Sequence, residues 1–144
     1  MNEKKILLVE DNPDDEELAL LAFRKCRISN EVVIARDGEE ALDYLFGTGM
    51  YVGRDVSYQP QVILLDLKLP KMGGLEVLQR LRADTRTQSI PVVVLTSSSE
   101  EKDILASYHL GVNSYVRKPV EFHHFADAVQ QLSQYWLVLN LTPA

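Results

Sequence analysis

Short apolar stretches recur along the chain, and turn-forming or polar residues follow each of them. Apolar runs of this length bounded by turn signals are typical of buried strands, and longer segments with helical spacing lie between them. The alternation of five strands with five helices predicts an α/β fold, in which a doubly wound parallel sheet carries helices on both faces. The predicted strands cover residues 5–9, 32–34, 62–65, 91–95 and 113–117.

Capping signals place the ends of several predicted helices. Asn12 followed by Pro13 is typical of a helix start, and this helix is expected to run to about Arg27. Asp37 and Glu40 form a capping box at the start of the second helix. The apolar residues at helical spacing are Leu18, Leu21 and Ala22, then Ala41, Leu42, Leu45 and Phe46, then Leu75, Val77, Leu78 and Leu81, then Ile104, Leu105 and Tyr108, and last Phe122, Phe125, Ala126, Val129, Leu132 and Trp136.

Reactive side chains follow four of the predicted strands. Asp66 comes directly after the most apolar strand, Glu10 and Asp11 follow the first, and Thr96 and Lys118 follow the last two. Ligands of open α/β sheets bind outside the carboxyl ends of the strands. If the strands are parallel neighbours, we expect three carboxylates, a hydroxyl and an ammonium group to meet at this edge.

This combination predicts a site for a divalent metal ion and a phosphoryl group. Mg²⁺ prefers oxygen ligands, which Glu10, Asp11 and Asp66 supply, and three close carboxylates repel each other without a cation. Asp66 is also a candidate nucleophile, since a carboxylate can form an aspartyl-phosphate. Solvated acids at a strand end, a surface lysine at 118 and an ordinary strand threonine at 96 are the alternative interpretations.

Composition narrows the function classes. The 144 residues predict a single domain covering residues 1–144 with no output domain. With 15 Lys and Arg against 21 Asp and Glu, the net charge of −6 argues against direct DNA binding and against anionic membrane surfaces. No apolar stretch approaches a membrane span, and a strand that begins within six residues leaves no room for a signal peptide. The single Cys26, expected to be buried on a helix, fits the cytoplasm.

Five motifs together resemble the receiver domain of response regulators in two-component signalling. They are Leu-Leu-Val-Glu-Asp-Asn at 7–12, Leu-Leu-Asp-Leu-Lys-Leu-Pro at 64–70, Gly-Gly at 73–74, Val-Leu-Thr-Ser at 94–97 and Tyr-Val-Arg-Lys-Pro at 115–119. They occur in the order and at the approximate spacing of that family and cover essentially the whole chain. The resemblance implies a flavodoxin-like sheet with strand order 2-1-3-4-5.

The resemblance also implies roles for the acidic residues. Asp66 matches the residue that accepts a phosphoryl group from a sensor histidine kinase. Asp11 and Asp66 match the side-chain ligands of Mg²⁺, with Glu10 acting through water. The backbone carbonyl of Lys68 matches the third protein ligand.

Further positions match residues that contact the phosphoryl group. Thr96 and Lys118 match the two side chains that hold its oxygens, and the backbone amides of Leu67 and Ser97 fall where the family also contacts phosphate. Tyr115 matches an aromatic residue that turns inward when Thr96 moves, which would switch the protein's interaction surface.

Some positions depart from the commonest family pattern or resemble only part of the family. Glu10 replaces a common Asp, Ser97 replaces Ala or Gly, and the bond from Lys118 to Pro119 matches a cis peptide in many members. The connection over residues 47–59 and the apolar tail from Tyr135 resemble the stand-alone regulators paired with bacterial phytochrome histidine kinases. The connection itself is either a solvated insertion or a partner contact.

The apolar segment from Tyr135 to Leu141 has two interpretations. A helix that is apolar all round favours burial on more than one side, so we expect a homodimer formed by the last two helices and the last strand. A tail folded back on its own domain is the alternative. His109, His123 and His124 are expected on the surface and not at a metal site.

Three function classes remain open, and a switch that catalyses only its own phosphorylation and dephosphorylation is favoured. An aspartate-based phosphatase would need a second acid soon after the nucleophile, and position 68 is Lys. A phosphorylation-independent scaffold would not need Asp11, Asp66, Thr96 and Lys118 together. Neither a P-loop nor a Gly-x-Gly-x-x-Gly pattern occurs, which argues against a nucleotide site.

Overall fold

The computed structural model describes residues 5–26, 30–97, 100–118 and 122–139. Five parallel strands form one sheet in the order β2-β1-β3-β4-β5, and five α-helices alternate with them, as the sequence predicts. The strands are β1 (Ile6–Val9), β2 (Val32–Ala35), β3 (Val62–Leu65), β4 (Val92–Thr96) and β5 (Ser114–Arg117). The helices are α1 (Pro13–Lys25), α2 (Gly38–Phe46), α3 (Gly74–Ala83), α4 (Glu101–His109) and α5 (Phe122–Ser133), with a 3₁₀ turn at Gly49–Tyr51 and a π-helical segment at Gln134–Leu139.

Both faces of the sheet are buried. Side chains alternate along β1, so Leu7 and Val9 pack towards α2 and α3, whereas Ile6 and Leu8 pack towards α1 and α5. A parallel sheet covered on both faces requires apolar residues at every position of its inner strands, which explains the continuous apolar runs in the sequence.

Helix α1 begins where the sequence predicts but buries a different face. Asn12 caps it by accepting hydrogen bonds from the amides of Asp14 and Asp15, and it ends at Lys25 rather than near Arg27, which lies outside the described residues. The buried residues are Ala19, Ala22 and Phe23, and Leu21 is exposed. Leu21, which helical spacing groups with Leu18 and Ala22 on one side of α1, is therefore not part of the surface that packs against the domain.

The start of α2 agrees with its predicted capping residues, whereas the start of α4 agrees only in part. Asp37 accepts a hydrogen bond from the amide of Glu40, as expected of the capping box, and Gly47 ends α2 at a φ of 66°. Ser98 and Glu101 also match a capping-box pattern, but Ser98 lies outside the described residues, and α4 begins at Glu101 with Glu100 as its N-cap. Two of the apolar residues at helical spacing on α4, Leu105 and Tyr108, are exposed at 63% and 51%.

The connection over residues 47–59 is attached to the end of α2. The guanidinium group of Arg54 stacks on the ring of Tyr44 with a separation of 4.0 Å, and it donates to the carbonyl oxygens of Tyr44, Leu45 and Tyr58. The side-chain amide of Gln59 donates to the Leu45 carbonyl at 2.9 Å. These donors satisfy carbonyls at the helix end that have no intrahelical partner.

The segment after α5 folds back on the domain. Trp136 and Leu137 are buried in the same cluster as Phe23, and the carbonyl of Trp136 accepts a hydrogen bond from the side chain of Gln61 at 3.3 Å. Tyr135 is 49% exposed. The alternative of a tail packed on its own domain is therefore correct for the two buried residues.

Candidate functional site

The sheet brings the reactive residues together at the carboxyl ends of its strands. Val9 and Leu65 lie in register on β1 and β3, so the residues that follow them, Glu10 and Asp66, leave the sheet side by side. The amide of Asp66 donates to the carbonyl of Val9 at 3.1 Å, and the amide of Lys118 donates to the carbonyl of Thr96 at 2.8 Å. The main chain therefore fixes where these side chains begin.

Three carboxylates form an acidic cluster at this edge. Glu10, Asp11 and Asp66 each offer one oxygen, and these oxygens lie within 4.8 Å of one another. Glu10 and Asp66 are buried, whereas Asp11 is exposed. An all-oxygen donor set with one side open to solvent fits a hard divalent cation such as Mg²⁺, which keeps several of its waters.

The ammonium group of Lys118 lies among three acids. Its Nζ lies 2.6 Å from Oε1 of Glu10, 2.8 Å from Oδ2 of Asp15 and 2.9 Å from Oδ2 of Asp66. The Lys118 side chain is only 9% exposed, so these interactions are weakly screened by solvent. An ammonium group has three N–H donors, and the three carboxylates accept all of them.

Asp66 is held at both carboxylate oxygens. Oδ1 accepts a hydrogen bond from the Thr96 hydroxyl at 2.7 Å and another from the Lys68 amide at 3.0 Å. Oδ2 accepts from Lys118 at 2.9 Å. Donors on β4, after β5 and in the following turn thus fix the orientation of one carboxylate.

Burial and hydrogen bonding affect the pKa values of the two buried acids differently. Burial would raise the pKa of Asp66, but hydrogen bonds from Lys118, the Lys68 amide and Thr96 outweigh it and hold that pKa below its ordinary value. Burial raises the pKa of Glu10 to about 7, despite the hydrogen bond from Lys118. Burial would lower the pKa of Lys118, but hydrogen bonds to Asp15, Glu10 and Asp66 raise it. Asp66 is therefore an ionised carboxylate at neutral pH.

Gly74, the second of two glycines in the turn after β3, allows α3 to pack very close to the backbone of that turn. Gly74, the first residue of α3, donates its amide hydrogen to the carbonyl of Leu67 at 3.0 Å. A Cβ at Gly74 would lie 2.7 Å from the Cα of Leu67 and would collide with the carbonyl oxygen of Asp66. Glycine at 74 is therefore required for α3 to pack directly against the backbone of Asp66.

The other residues predicted for the site lie around it with different exposures. Leu67 is buried, and Lys68 and Ser97 are exposed at the rim. Tyr115 is half-buried, lies in register with Val94 and packs against the core cluster between the sheet and helices α2 and α3. The predicted contacts of Leu67 and Ser97 with a phosphoryl group, of Lys68 with a metal ion, and the predicted switching role of Tyr115 stay predictions. The predicted cis peptide before Pro119 lies outside the described residues.

Sequence reasoning did not single out Asp15. This residue lies in the first turn of α1, and its carboxylate reaches Lys118 across 103 positions of sequence. The only available signal was its place three residues after the N-cap Asn12, beside the end of β1. Many first-turn acids occur there because the helix dipole favours them, so the contact could not be inferred.

The histidines and the cysteine do not contribute to this site in the described part of the chain. His109 and His124 are exposed on α4 and α5, as expected, and the side chain of His123 is not described. Cys26 is half-buried at the end of α1, with Sγ 3.8 Å from the carbonyl of Ala126, so the prediction of a buried cysteine was wrong. Among the helices of the described ranges, none has the length and apolar character needed to cross a membrane.

Known proteins resemble this chain over nearly its full length. Residues 6–130 match the family model described as the response regulator receiver domain. The response regulator Rcp1 of Synechocystis is 40% identical over 98% of this chain and 94% of its own length. The solved structure of its Mn²⁺-bound form superposes with a TM-score of 0.89 over 98% of this chain and 99% of that one.

Two further structures are similar over nearly their full length. The phosphorylated cyanobacterial phytochrome response regulator RcpA is 41% identical, with a TM-score of 0.91 and 99% of each chain covered. The bacteriophytochrome response regulator AtBRR is 56% identical, with a TM-score of 0.75, 98% of this chain covered and 100% of that chain.

Proposed function

The chain belongs to the response regulator receiver domain family, and from this premise we propose that it is a signalling switch in which Asp66 accepts a phosphoryl group. One observation carries the proposal. Asp66 is an ionised carboxylate whose two oxygens accept hydrogen bonds from Thr96 and Lys118, and it borders an acidic cluster suited to a divalent cation. A nucleophile, two phosphate-binding donors and a cation site are the parts that phosphoryl transfer requires.

The transfer begins with the phosphohistidine of a sensor histidine kinase. A carboxylate oxygen of Asp66 forms a bond to phosphorus as the bond between phosphorus and the histidine nitrogen breaks, and the electron pair leaves on that nitrogen. The ammonium group of Lys118, buried beside Asp66, stabilises the oxygens of the transferred group. Mg²⁺, held by Asp11, Asp66 and the Lys68 carbonyl with Glu10 acting through water, would neutralise the remaining negative charge.

The switch follows from the hydrogen bond that Thr96 now donates to Asp66. A phosphoryl oxygen offers this hydroxyl a new and more highly charged acceptor, so Thr96 shifts towards the transferred group. Tyr115, which lies on the adjacent strand, then fills the space that Thr96 leaves. Phosphorylation in this way stabilises a conformation that already exists as a minor state. The backbone amides of Leu67 and Ser97 lie at the same edge and supply further donors to the phosphoryl oxygens.

The proposed output is binding rather than turnover. Leu105 and Tyr108 on α4 and Tyr135 after α5 are large side chains that remain about half or more exposed, which supports a homodimer through α4, β5 and α5. The acidic chain is not expected to bind DNA itself. The single free cysteine is consistent with a cytoplasmic setting.

The phosphoryl donor is proposed to be a phytochrome-type histidine kinase. The support is similarity to RcpA and AtBRR, whose names describe them as phytochrome and bacteriophytochrome response regulators. Similarity to Rcp1, whose structure holds Mn²⁺, supports a divalent metal ion at the same site.

Intact mass spectrometry after incubation with acetyl phosphate and Mg²⁺ tests the proposed chemistry. We expect one phosphoryl adduct on the wild type, none without Mg²⁺ and none on Asp66→Asn. Asp55→Asn, which changes an exposed acid in the loop after α2, is the matched control and should be phosphorylated like the wild type.

Two results would contradict the proposal. If the wild type gains no adduct from acetyl phosphate or from any histidine kinase, and also fails to bind beryllofluoride, the chain is a scaffold. If it instead hydrolyses small phosphoesters with turnover, it is a phosphatase. Light scattering at tens of micromolar tests the homodimer, since a monomer both with and without phosphorylation would exclude it.

A further inference from the structure

Asp15 differs from the other acids that contact Lys118. Of the three carboxylates bound to this ammonium group in the described part of the chain, Glu10 and Asp66 belong to the acidic cluster, but Asp15 does not. A cation bound by that cluster would offset the charges of Glu10 and Asp66. Asp15 would then be the one carboxylate of the three whose charge is still balanced by Lys118 alone.

The main chain holds Asp15 at a fixed place. It is the third residue of α1, and its amide donates to Oδ1 of the N-cap Asn12 at 3.3 Å. The positive end of the helix dipole favours a carboxylate in this first turn. Its side chain is 29% exposed, so it approaches the buried ammonium group from the solvent side.

The three N–H donors of Lys118 therefore differ in whether they can turn to a phosphoryl group that binds to Asp66. Donors that now serve Glu10 and Asp66 can turn to phosphoryl oxygens, because the cation compensates those acids. The donor on Asp15 has no such release, because Asp15 lies outside the acidic cluster and a cation bound there does not compensate its charge. Asp15 also brings a negative charge close to the anionic phosphoryl oxygens and repels them.

Resting on the proposed function, we propose that Asp15 is a positioning residue that limits how tightly the phosphoryl group is held. It fixes the ammonium group of Lys118 at the rim and withdraws part of its positive charge from the phosphoryl oxygens. Asp15 would thereby favour release of the phosphoryl group and weaken the switched state.

Binding of beryllofluoride, which takes the place of the phosphoryl group on Asp66, tests this proposal by ¹⁹F NMR or calorimetry at saturating Mg²⁺. Asp15→Asn keeps an oxygen acceptor for Lys118 but removes the charge. We expect it to bind beryllofluoride about 3- to 10-fold more tightly than the wild type. Without beryllofluoride it should bind Mg²⁺ about 2- to 5-fold more weakly, because a negative charge near the cation is lost.

Asp14→Asn is the matched control. It removes the same charge from the neighbouring position of α1, where the side chain is exposed and makes no contact with Lys118. Both affinities should change less than about twofold, because solvent screens an exposed charge. Asp15→Ser, with a different small neutral side chain, should shift both affinities in the same directions as Asp15→Asn.

Opposite shifts of the two affinities cannot arise from damage to the fold, which would weaken both. If Asp15→Asn behaves like Asp14→Asn, or binds beryllofluoride more weakly than the wild type, the role of Asp15 is disproved and the proposed function stands. If the wild type itself takes up no beryllofluoride, this inference fails, and the proposed function fails with it when the chain also gains no phosphoryl adduct.

Discussion

Thr96 donates its hydroxyl hydrogen bond to Oδ1 of Asp66 over 2.7 Å, although the two residues are 30 positions apart in the chain. Both side chains are buried, and the other oxygen of Asp66 accepts from Lys118. The single carboxylate thus connects three strand ends. A group that bonds to Asp66 would change the acceptors offered to both partners at once, so we expect Thr96 to link phosphorylation to β4.

Thr96→Val should separate phosphoryl binding from the proposed movement of Tyr115. Valine has a similar shape and suits a strand, but it cannot donate to Asp66 or to a phosphoryl oxygen. Thr96 already donates to the Asp66 carboxylate, so the variant loses only the gain on moving to a more highly charged acceptor, and beryllofluoride should bind up to about tenfold more weakly. At saturation, the NMR signals of Tyr115 should move much less than in the wild type. Thr96→Ser, which keeps the hydroxyl, should retain the Tyr115 shift, and a full shift in the valine variant would rule out this link.

The raised pKa of Glu10 should make Mg²⁺ binding depend on pH near neutrality. Burial is the main cause of that rise, to about 7 in the metal-free protein, so Glu10 is mostly protonated at pH 6 and mostly ionised at pH 8. A cation favours the ionised form, and its affinity should therefore rise by up to about tenfold between these two pH values, with release of a proton. Titrations of Mg²⁺ at several pH values measure this slope.

Glu10→Gln should flatten that pH profile, because glutamine does not titrate. Glu17→Gln, which changes an exposed acid on α1, should keep the wild-type slope. A steep profile in the Glu10 variant would assign the titration to another group.

Gly74→Ala should destabilise the fold and disturb Asp66, whereas Gly73→Ala should be mild. A methyl group at 74 has no room beside the backbone of Asp66 and Leu67, but one at 73 would lie 3.9 Å from the carbonyl oxygen of Leu67. Overpacking of this kind costs about 1–3 kcal/mol. Urea unfolding should show this loss for Gly74→Ala and less than about 1 kcal/mol for Gly73→Ala, the N-cap of α3. Equal losses in the two variants would contradict the steric explanation.

Local sequence carries most of the information about the sheet and the centre of the site. The strands of a buried parallel sheet must be apolar on both faces, so the ends of β1 and β3 are visible where Glu10 and Asp66 interrupt the apolar runs. Parallel topology then brings those ends to one edge. The family motifs add the expected roles of Thr96 and Lys118, which spacing alone leaves open.

The features that sequence did not predict depend on contacts between distant segments. The pairing of Asp15 with Lys118, the carbonyls that Arg54 binds at the end of α2, and the exposure of Leu21 are each fixed by how a helix or loop lies against the domain. Apolar spacing identifies a helix but not its rotation, and Leu105, one of the apolar residues at helical spacing on α4, is exposed in the structure.

Substitutions in the segment after α5 test whether its apolar residues pack on their own domain or on a second copy of the chain. Trp136 is 7% exposed and shares a buried cluster with Phe23, whereas the adjacent Tyr135 is 49% exposed. Trp136→Ala should lower the free energy of unfolding by about 3–5 kcal/mol, as expected for a buried aromatic side chain, and Tyr135→Ala by less than about 1 kcal/mol. Burial within the domain makes the Trp136 loss independent of protein concentration. A loss that disappears on dilution would instead place Trp136 in a dimer interface, and the tail would then pack on a second copy of the chain.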